Sequence, residues 1–199
     1  MNPVPLFLII VSLPLLLGGC GEKPVTSLKY KIKDDEVTIT YCDRKTSGAL
    51  TIPATIEGKP VTNIQSNAFQ GCSNLMSIII PDSVTGIGNY AFTACVSLKS
   101  ITIGNSVTKI GMSAFSNCLS LTSITIPNNV ISIGPTAFSG CGRLENITVG
   151  EGVNDVGYGA FYARGLKAVT FLGDAPEVGK APFDGATTIY RKPEAKGWG

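Results

Sequence analysis

The sequence predicts a repeat solenoid of mostly short parallel β-strands, with a single helical turn in each repeat. Three observations predict it. A phrase of 23 residues recurs along most of the chain. Charged residues make up only 15% of the chain, against the roughly 25% usual for globular proteins. Glycine is abundant, at 23 of 199 residues. Low charge with many glycines fits neither a disordered tail nor a coiled coil. It suits a chain that turns often between short strands.

The repeat is read by aligning leucines. Leu75–Ser97, Leu98–Ser120 and Leu121–Arg143 are units of 23 residues, and Leu144–Gly165 is one of 22. An earlier unit, Leu50–Asn74, carries a small insertion around Glu57-Gly58-Lys59, and a degenerate one starts at Leu166. The shared pattern is L-x-x-I-x-I-P-x-x-V-x-x-I-G-x-x-A-F-x-x-C. Such a unit cannot bury its apolar residues alone; stacking makes the core continuous.

Each part of the unit has a physical reading. Residues two apart on a strand face the same side. Ile78 and Ile80, Ile101 and Ile103, Ile124 and Ile126, and Ile147 and Val149 should therefore point inward. Pro81 and Pro127 end their strands, because proline has no N–H for a ladder. Val84 and Ile87 begin a second, shorter extended piece. Gly88, Gly111, Gly134 and Gly157 then suit a turn that needs a permissive φ. Ala68 and Cys72 are four apart with Phe69 beside them, which predicts one helical turn. Pro135 suits its first position. Each repeat should add about 4.8 Å along the stack.

Both ends of a solenoid need covering. Leu28, Tyr30 and Ile32 alternate with lysines, Asp34-Asp35 marks a turn, and Val37, Ile39 and Tyr41 alternate again. Residues 28–45 are thus expected to form a β-hairpin cap. The solenoid should run over 46–190 in about six repeats. Thr187 to Tyr190 is expected to be a closing strand above Phe183, and 191–199 a C-terminal tail.

The dense pattern, the phrase Gly58 to Ile64 (GKPVTNI) and six Ala-Phe pairs or near-pairs closely resemble the BspA-like leucine-rich repeat of bacterial surface proteins. The resemblance covers about residues 45–190. It implies a leucine-rich-repeat solenoid with a surface-binding role and implies no particular ligand.

Leu6 to Leu17 is almost wholly apolar, too short to span a bilayer and of the length of a signal-peptide core. Residues 1–19 are read as an export signal. Leu17-Gly18-Gly19-Cys20 resembles a bacterial lipobox, which implies a lipid on Cys20 and a tether over 20–27. The implied location is outside the cytoplasm, lipid-anchored to a membrane, at the cell surface or periplasmic face.

The composition argues against catalysis. There is no histidine, the commonest general base and metal ligand. Residues 66–142 hold one acid, Asp82, and two lysines, Lys99 and Lys109. No nucleophile–base pair can be assembled there, and no cofactor or metal is expected. The net charge of +2 comes without a basic stripe, which excludes a nucleic-acid partner. Cys72, Cys95, Cys118 and Cys141 recur every 23 residues. A metal site or disulfide competes with plain burial of a small apolar side chain. Burial is favoured, because equivalent positions point their thiols in parallel. Cys42 has no obvious partner in the sequence.

Residues alternating with the buried isoleucines should point outward in two columns. One is Ser77, Ser100, Ser123, Asn146 and Ala168; the other is Thr51, Ile79, Thr102, Thr125, Thr148 and Thr170. The expected face is small, hydroxyl-bearing and free of charge and aromatics. It reads either as a platform for a protein or glycan partner, or as what a solvated strand tolerates. The two functions that remain are a surface-exposed binding or adhesion module and a structural envelope lipoprotein without a specific ligand.

Overall fold

The computed structural model describes residues 27–183 and 187–198. The predicted export segment and the lipid acceptor Cys20 lie outside the described residues, as does the tether apart from Ser27. The described chain winds as a β-solenoid of about seven coils.

Its strands are numbered along the chain. The hairpin is β1 (Leu28–Lys33) and β2 (Glu36–Cys42), antiparallel to each other. Asp34 and Asp35 both have positive φ, 51° and 62°, as a two-residue hairpin turn with the right twist requires. Next come β3 (Gly48–Thr51), β4 (Thr55–Ile56), β5 (Lys59–Ile64), β6 (Leu75–Ile79) and β7 (Gly86–Ile87). The middle coils hold β8 (Ser100–Thr102), β9 (Lys109–Ile110), β10 (Ser123–Ile126) and β11 (Ser132–Ile133). The last are β12 (Asn146–Val149), β13 (Asp155–Val156), β14 (Ala168–Phe171), β15 (Glu177–Val178) and β16 (Thr188–Arg191).

Two parallel ladders run along the stack. Within the coils the two-residue strands β7, β9, β11, β13 and β15 continue the sheet begun by the longer β1, β2 and β5, in the order β1-β2-β5-β7-β9-β11-β13-β15, with β4 folded back on β5. The insertion at Glu57-Gly58 is the turn of that small hairpin. The longer strands of the coils give β3-β6-β8 and β10-β12-β14-β16. Within each group the repeat sets the register: Ile78 pairs with Ile101, and Ile124 with Ile147. The ladder is interrupted between β8 and β10, and Ile101 beside the interruption is half-buried while Ile124 is fully buried.

The interior is a set of aligned rows. Leu75, Leu98, Leu121 and Leu144 form one, and Val84, Val107, Val130 and Val153 another, all buried. Phe69, Phe92, Phe115, Phe138, Phe161 and Phe183 form a stack with ring centroids 4.7 to 5.9 Å apart. Those spacings match the coil rise, so each ring meets its equivalent face to face.

The predicted helical turn is absent. Among the described residues there is no helix of α length, and the Ala-Phe segment is a chain of tight turns. The reason lies in alternate hydrogen bonding. The N–H groups of Asn67, Phe69 and Gly71 donate to Asn89, Ala91 and Thr93 of the next coil. Those of Ala68, Gln70 and Cys72 donate three residues back, to Gln65, Asn67 and Phe69. Asn67 and Gly71 are left-handed, with φ of 63° and 72°, which no right-handed helix admits. Pro135 accordingly opens no helix; its carbonyl accepts from Ser113 N–H at 2.9 Å.

The glycine column is also set by something other than φ. Gly88, Gly111, Gly134 and Gly157 do not have positive φ. A Cβ on each would lie 2.4 to 2.6 Å from backbone atoms of the preceding coil. They are glycines because the coils touch there. The left-handed positions instead fall on Tyr90, Ser113 and Thr136, each with φ between 52° and 58°. Close approach also explains why glycine alternates with proline at the strand ends: a Cβ on Gly104 would sit 2.3 Å from the Pro81 carbonyl oxygen.

The hairpin lies over the N-terminal end through the parallel pairing of β2 with β5. Tyr30 donates to Glu57 at 2.7 Å, Thr62 donates to Glu36 at 2.9 Å, and Lys59 pairs with Asp35. At the other end Trp198 packs on Phe171 with centroids 5.0 Å apart, and Ala175 N–H donates to the Lys196 carbonyl. Residues 192–198 therefore stack as a further partial coil.

Candidate binding face

The longer strands carry the residues singled out from the sequence, and strand alternation decides their direction. The buried partners (Leu50, Ile78, Ile124, Ile126, Ile147, Val149 and Val169) take the inward side. Slipping any strand by one residue would exchange the two sides, so burial of the isoleucines fixes the outward set.

That set lines up across the ladders. Thr51 pairs with Ile79, and Ile79 with Thr102. Beyond the interruption, Thr125 pairs with Thr148, Thr148 with Thr170, and Thr170 with Tyr190. In the neighbouring column Ser77 pairs with Ser100, and Ser123, Asn146, Ala168 and Thr188 follow in register. Thr51, Ser100, Thr102, Ser123, Thr125 and Asn146 are exposed; Ser77, Thr148 and Thr170 are half-exposed. All eleven residues of the expected face, Ile79 and Ala168 included, thus lie on one side of the stack.

One feature departs from the expected face, which has an aromatic after all: Tyr190 continues the threonine column and is 55% exposed. The alternation Thr188-Ile189-Tyr190 carries that signal in the sequence. Ile79, 47% exposed, stands near the opposite end. The uncharged surface is therefore bounded by an apolar side chain near one end and a phenol at the other. Charge lies along its edge: Lys99 just before β8, and the pair of Lys167 and Glu145, 2.9 Å apart, just before β14 and β12.

The cysteine column lies inside. Cys42, Cys72, Cys95, Cys118 and Cys141 are buried free thiols. The last three do more than fill space. Cys95 donates to the Phe69 carbonyl at 3.2 Å, Cys118 to Phe92 at 3.3 Å, and Cys141 to Phe115 at 3.1 Å. Burial pushes the Cys95 thiol up to about 12. Cys42, unpartnered in the sequence, has its Sγ 3.4 Å from the Thr46 hydroxyl and lies against Cys72.

Other surfaces hold little chemistry. A shallow trough of about 250 Å³ lies over β5, β7 and β9, floored by Gly86, Gly88 and Gly111 and edged by Asn63, Asn89 and Lys109. Among the described residues no three His, Cys, Asp or Glu side chains gather as metal ligands, and no helix is long and apolar enough to cross a membrane.

Comparison with known proteins agrees with this architecture. A leucine-rich repeat protein of T. pallidum is 29% identical over 80% of this chain and 86% of its own, with a TM-score of 0.73. A leucine-rich cell surface protein of Faecalibacterium prausnitzii is 27% identical over 89% of this chain, with a TM-score of 0.59; the match spans 56% of that longer protein. A leucine-rich repeat protein of Bacteroides capillosus is 31% identical over 64% of this chain and 96% of its own, with a TM-score of 0.55. No curated protein matches the sequence. Residues 62–190 match six copies of one repeat profile, and the chain belongs to the BspA type leucine-rich repeat family.

Proposed function

We propose that the protein is a binding module of the cell surface that presents the outward face of its longer strands to a protein or glycan partner. The observation that carries this reading is the face itself: two columns of small polar side chains in register, uncharged along their length and ending on Tyr190. Repeat stacks use broad surfaces of this kind. The family, and the likeness to the F. prausnitzii cell surface protein, support the location. A lipid on Cys20 would hold the N-terminal end at the membrane and leave the stack projecting. Aromatic anchors are few, so binding is weak per copy and gains from many copies on one surface.

The test uses the purified chain on a glycan array and on a panel of immobilised extracellular proteins. Saturable binding to at least one class supports the reading. Absence of saturable binding across both, together with an envelope defect on deletion, would favour a structural lipoprotein with no ligand.

A further inference from the structure

Three ladder cysteines are each engaged with a phenylalanine carbonyl of the coil before, at 3.1 to 3.3 Å. Cys72 has no such partner. The chain before it is the end of the hairpin, and the carbonyls nearest its Sγ are Cys42 at 3.9 Å and Asp43 at 4.0 Å. The Cys42 carbonyl places that residue against it, and the two thiols are hydrogen-bond partners. The two are held together by backbone: Cys42 N–H donates to the Ala68 carbonyl at 2.7 Å, four residues before Cys72. Both side chains are buried, and one sits on the cap while the other sits on the first full coil.

We propose that Cys42 and Cys72 are a disulfide-forming pair that staples the N-terminal hairpin to the solenoid. In the docked state the Cys72 thiol, with the Thr46 hydroxyl, holds Cys42 below the usual thiol range, and the same contact and burial push Cys72 above it. With the hairpin undocked that asymmetry is gone and either thiol can attack first. With Cys42 first, its thiolate displaces one thiolate from a low-molecular-weight disulfide such as oxidised glutathione and forms a mixed disulfide. Cys72 then loses its proton, attacks the Cys42 sulfur and expels the second glutathione thiol. Two protein thiols are oxidised to one disulfide and one external disulfide is reduced to two thiols. Burial requires that this occur before the hairpin docks or when it opens. The hairpin is held by the β2–β5 ladder, by the buried side chains of Leu28, Val37 and Ile39 and by contacts of Asp35, Tyr30 and Glu36, all of which must part before the thiols are reached.

The experiment refolds the reduced full chain in a buffer of reduced and oxidised glutathione. Remaining thiols are blocked with iodoacetamide and the cross-links mapped by peptide mass spectrometry. The expected map joins Cys42 to Cys72 and leaves Cys95, Cys118 and Cys141 alkylated. Closing a loop of about 30 residues raises the melting temperature by about 10 °C over the reduced chain. Cys118→Ser keeps the link, and Cys42→Ser loses both the link and the shift. Any map in which Cys42 is not joined to Cys72 overturns the proposal, including Cys42 linked to Cys20, Cys118 linked to Cys141, or glutathione retained on Cys42.

Discussion

The thiol of Cys118 donates to the carbonyl oxygen of Phe92, 3.3 Å away in the preceding coil. The same oxygen accepts the N–H of Cys95 at 3.3 Å, so both of its lone pairs are used. The row of cysteines is therefore a row of carbonyl caps. Cys118→Ala removes a weak donor and a buried sulfur, leaving the oxygen one partner. Urea unfolding should show a loss of about 1–2 kcal/mol. A loss indistinguishable from zero would show that the contact carries nothing.

Burial of these thiols has a pH signature. Cys95 is raised to about 12 in the folded chain, while an unfolded thiol titrates near 8.5. A raised folded value means that the contribution is complete below the unfolded value and is lost as pH climbs towards 12. The urea midpoint should fall between pH 9 and roughly 11, and Cys95→Ala should flatten part of that fall. In the native state at pH 8, alkylation of Cys95 should be roughly a thousandfold slower than in urea.

The phenylalanine stack predicts a gradient. Phe115 is fully buried between Phe92 and Phe138, at 5.2 and 5.3 Å. Phe115→Ala should cost about 3–5 kcal/mol. Phe183 is half-buried with a ring contact to Phe161, and its replacement should cost less than half as much. Chemical denaturation of the two variants side by side checks the order.

Glycine and non-glycine positions give opposite predictions. Gly111→Ala places a Cβ 2.6 Å from the Asn89 nitrogen, so two coils must separate; a cost of about 2 kcal/mol or more is expected. Ala94 sits at φ 59° in the column of Gly71, Asn117 and Gly140. Ala94→Gly relieves a left-handed alanine and should be neutral or stabilising by up to about 1 kcal/mol. Melting temperatures moving in the same direction for both variants would contradict this division.

These glycines also show what the sequence could and could not convey. The inward isoleucines were legible because period two is a local property: Ile124 and Ile126 declare their side without knowledge of the next coil. The outward column of Thr125, Thr148 and Thr170 followed from the same rule. The Ala68–Cys72 segment misled because a four-residue apolar spacing also marks a helix. What decides it is the hydrogen bond from Phe69 to Ala91, 22 residues away, and the left-handed backbone at Asn67 and Gly71. The Gly88 column suggested a special φ, whereas its cause is contact with another coil. The approach of Cys42 to Cys72 likewise depends on stacking, which local patterns do not encode, whereas Tyr190 was within reach of the period-two rule through Thr188-Ile189-Tyr190.

The sheet face as the working surface is tested most directly by comparing two triple variants against any partner found by array or panel. One places lysines at Thr102, Thr125 and Thr148 on the face; the other places them at Thr108, Ile131 and Asn154, an exposed column before the short strands. With melting temperatures equal to the parent chain, the first should lose at least tenfold in affinity and the second should bind as the parent does. Undiminished binding by the first variant would contradict the account.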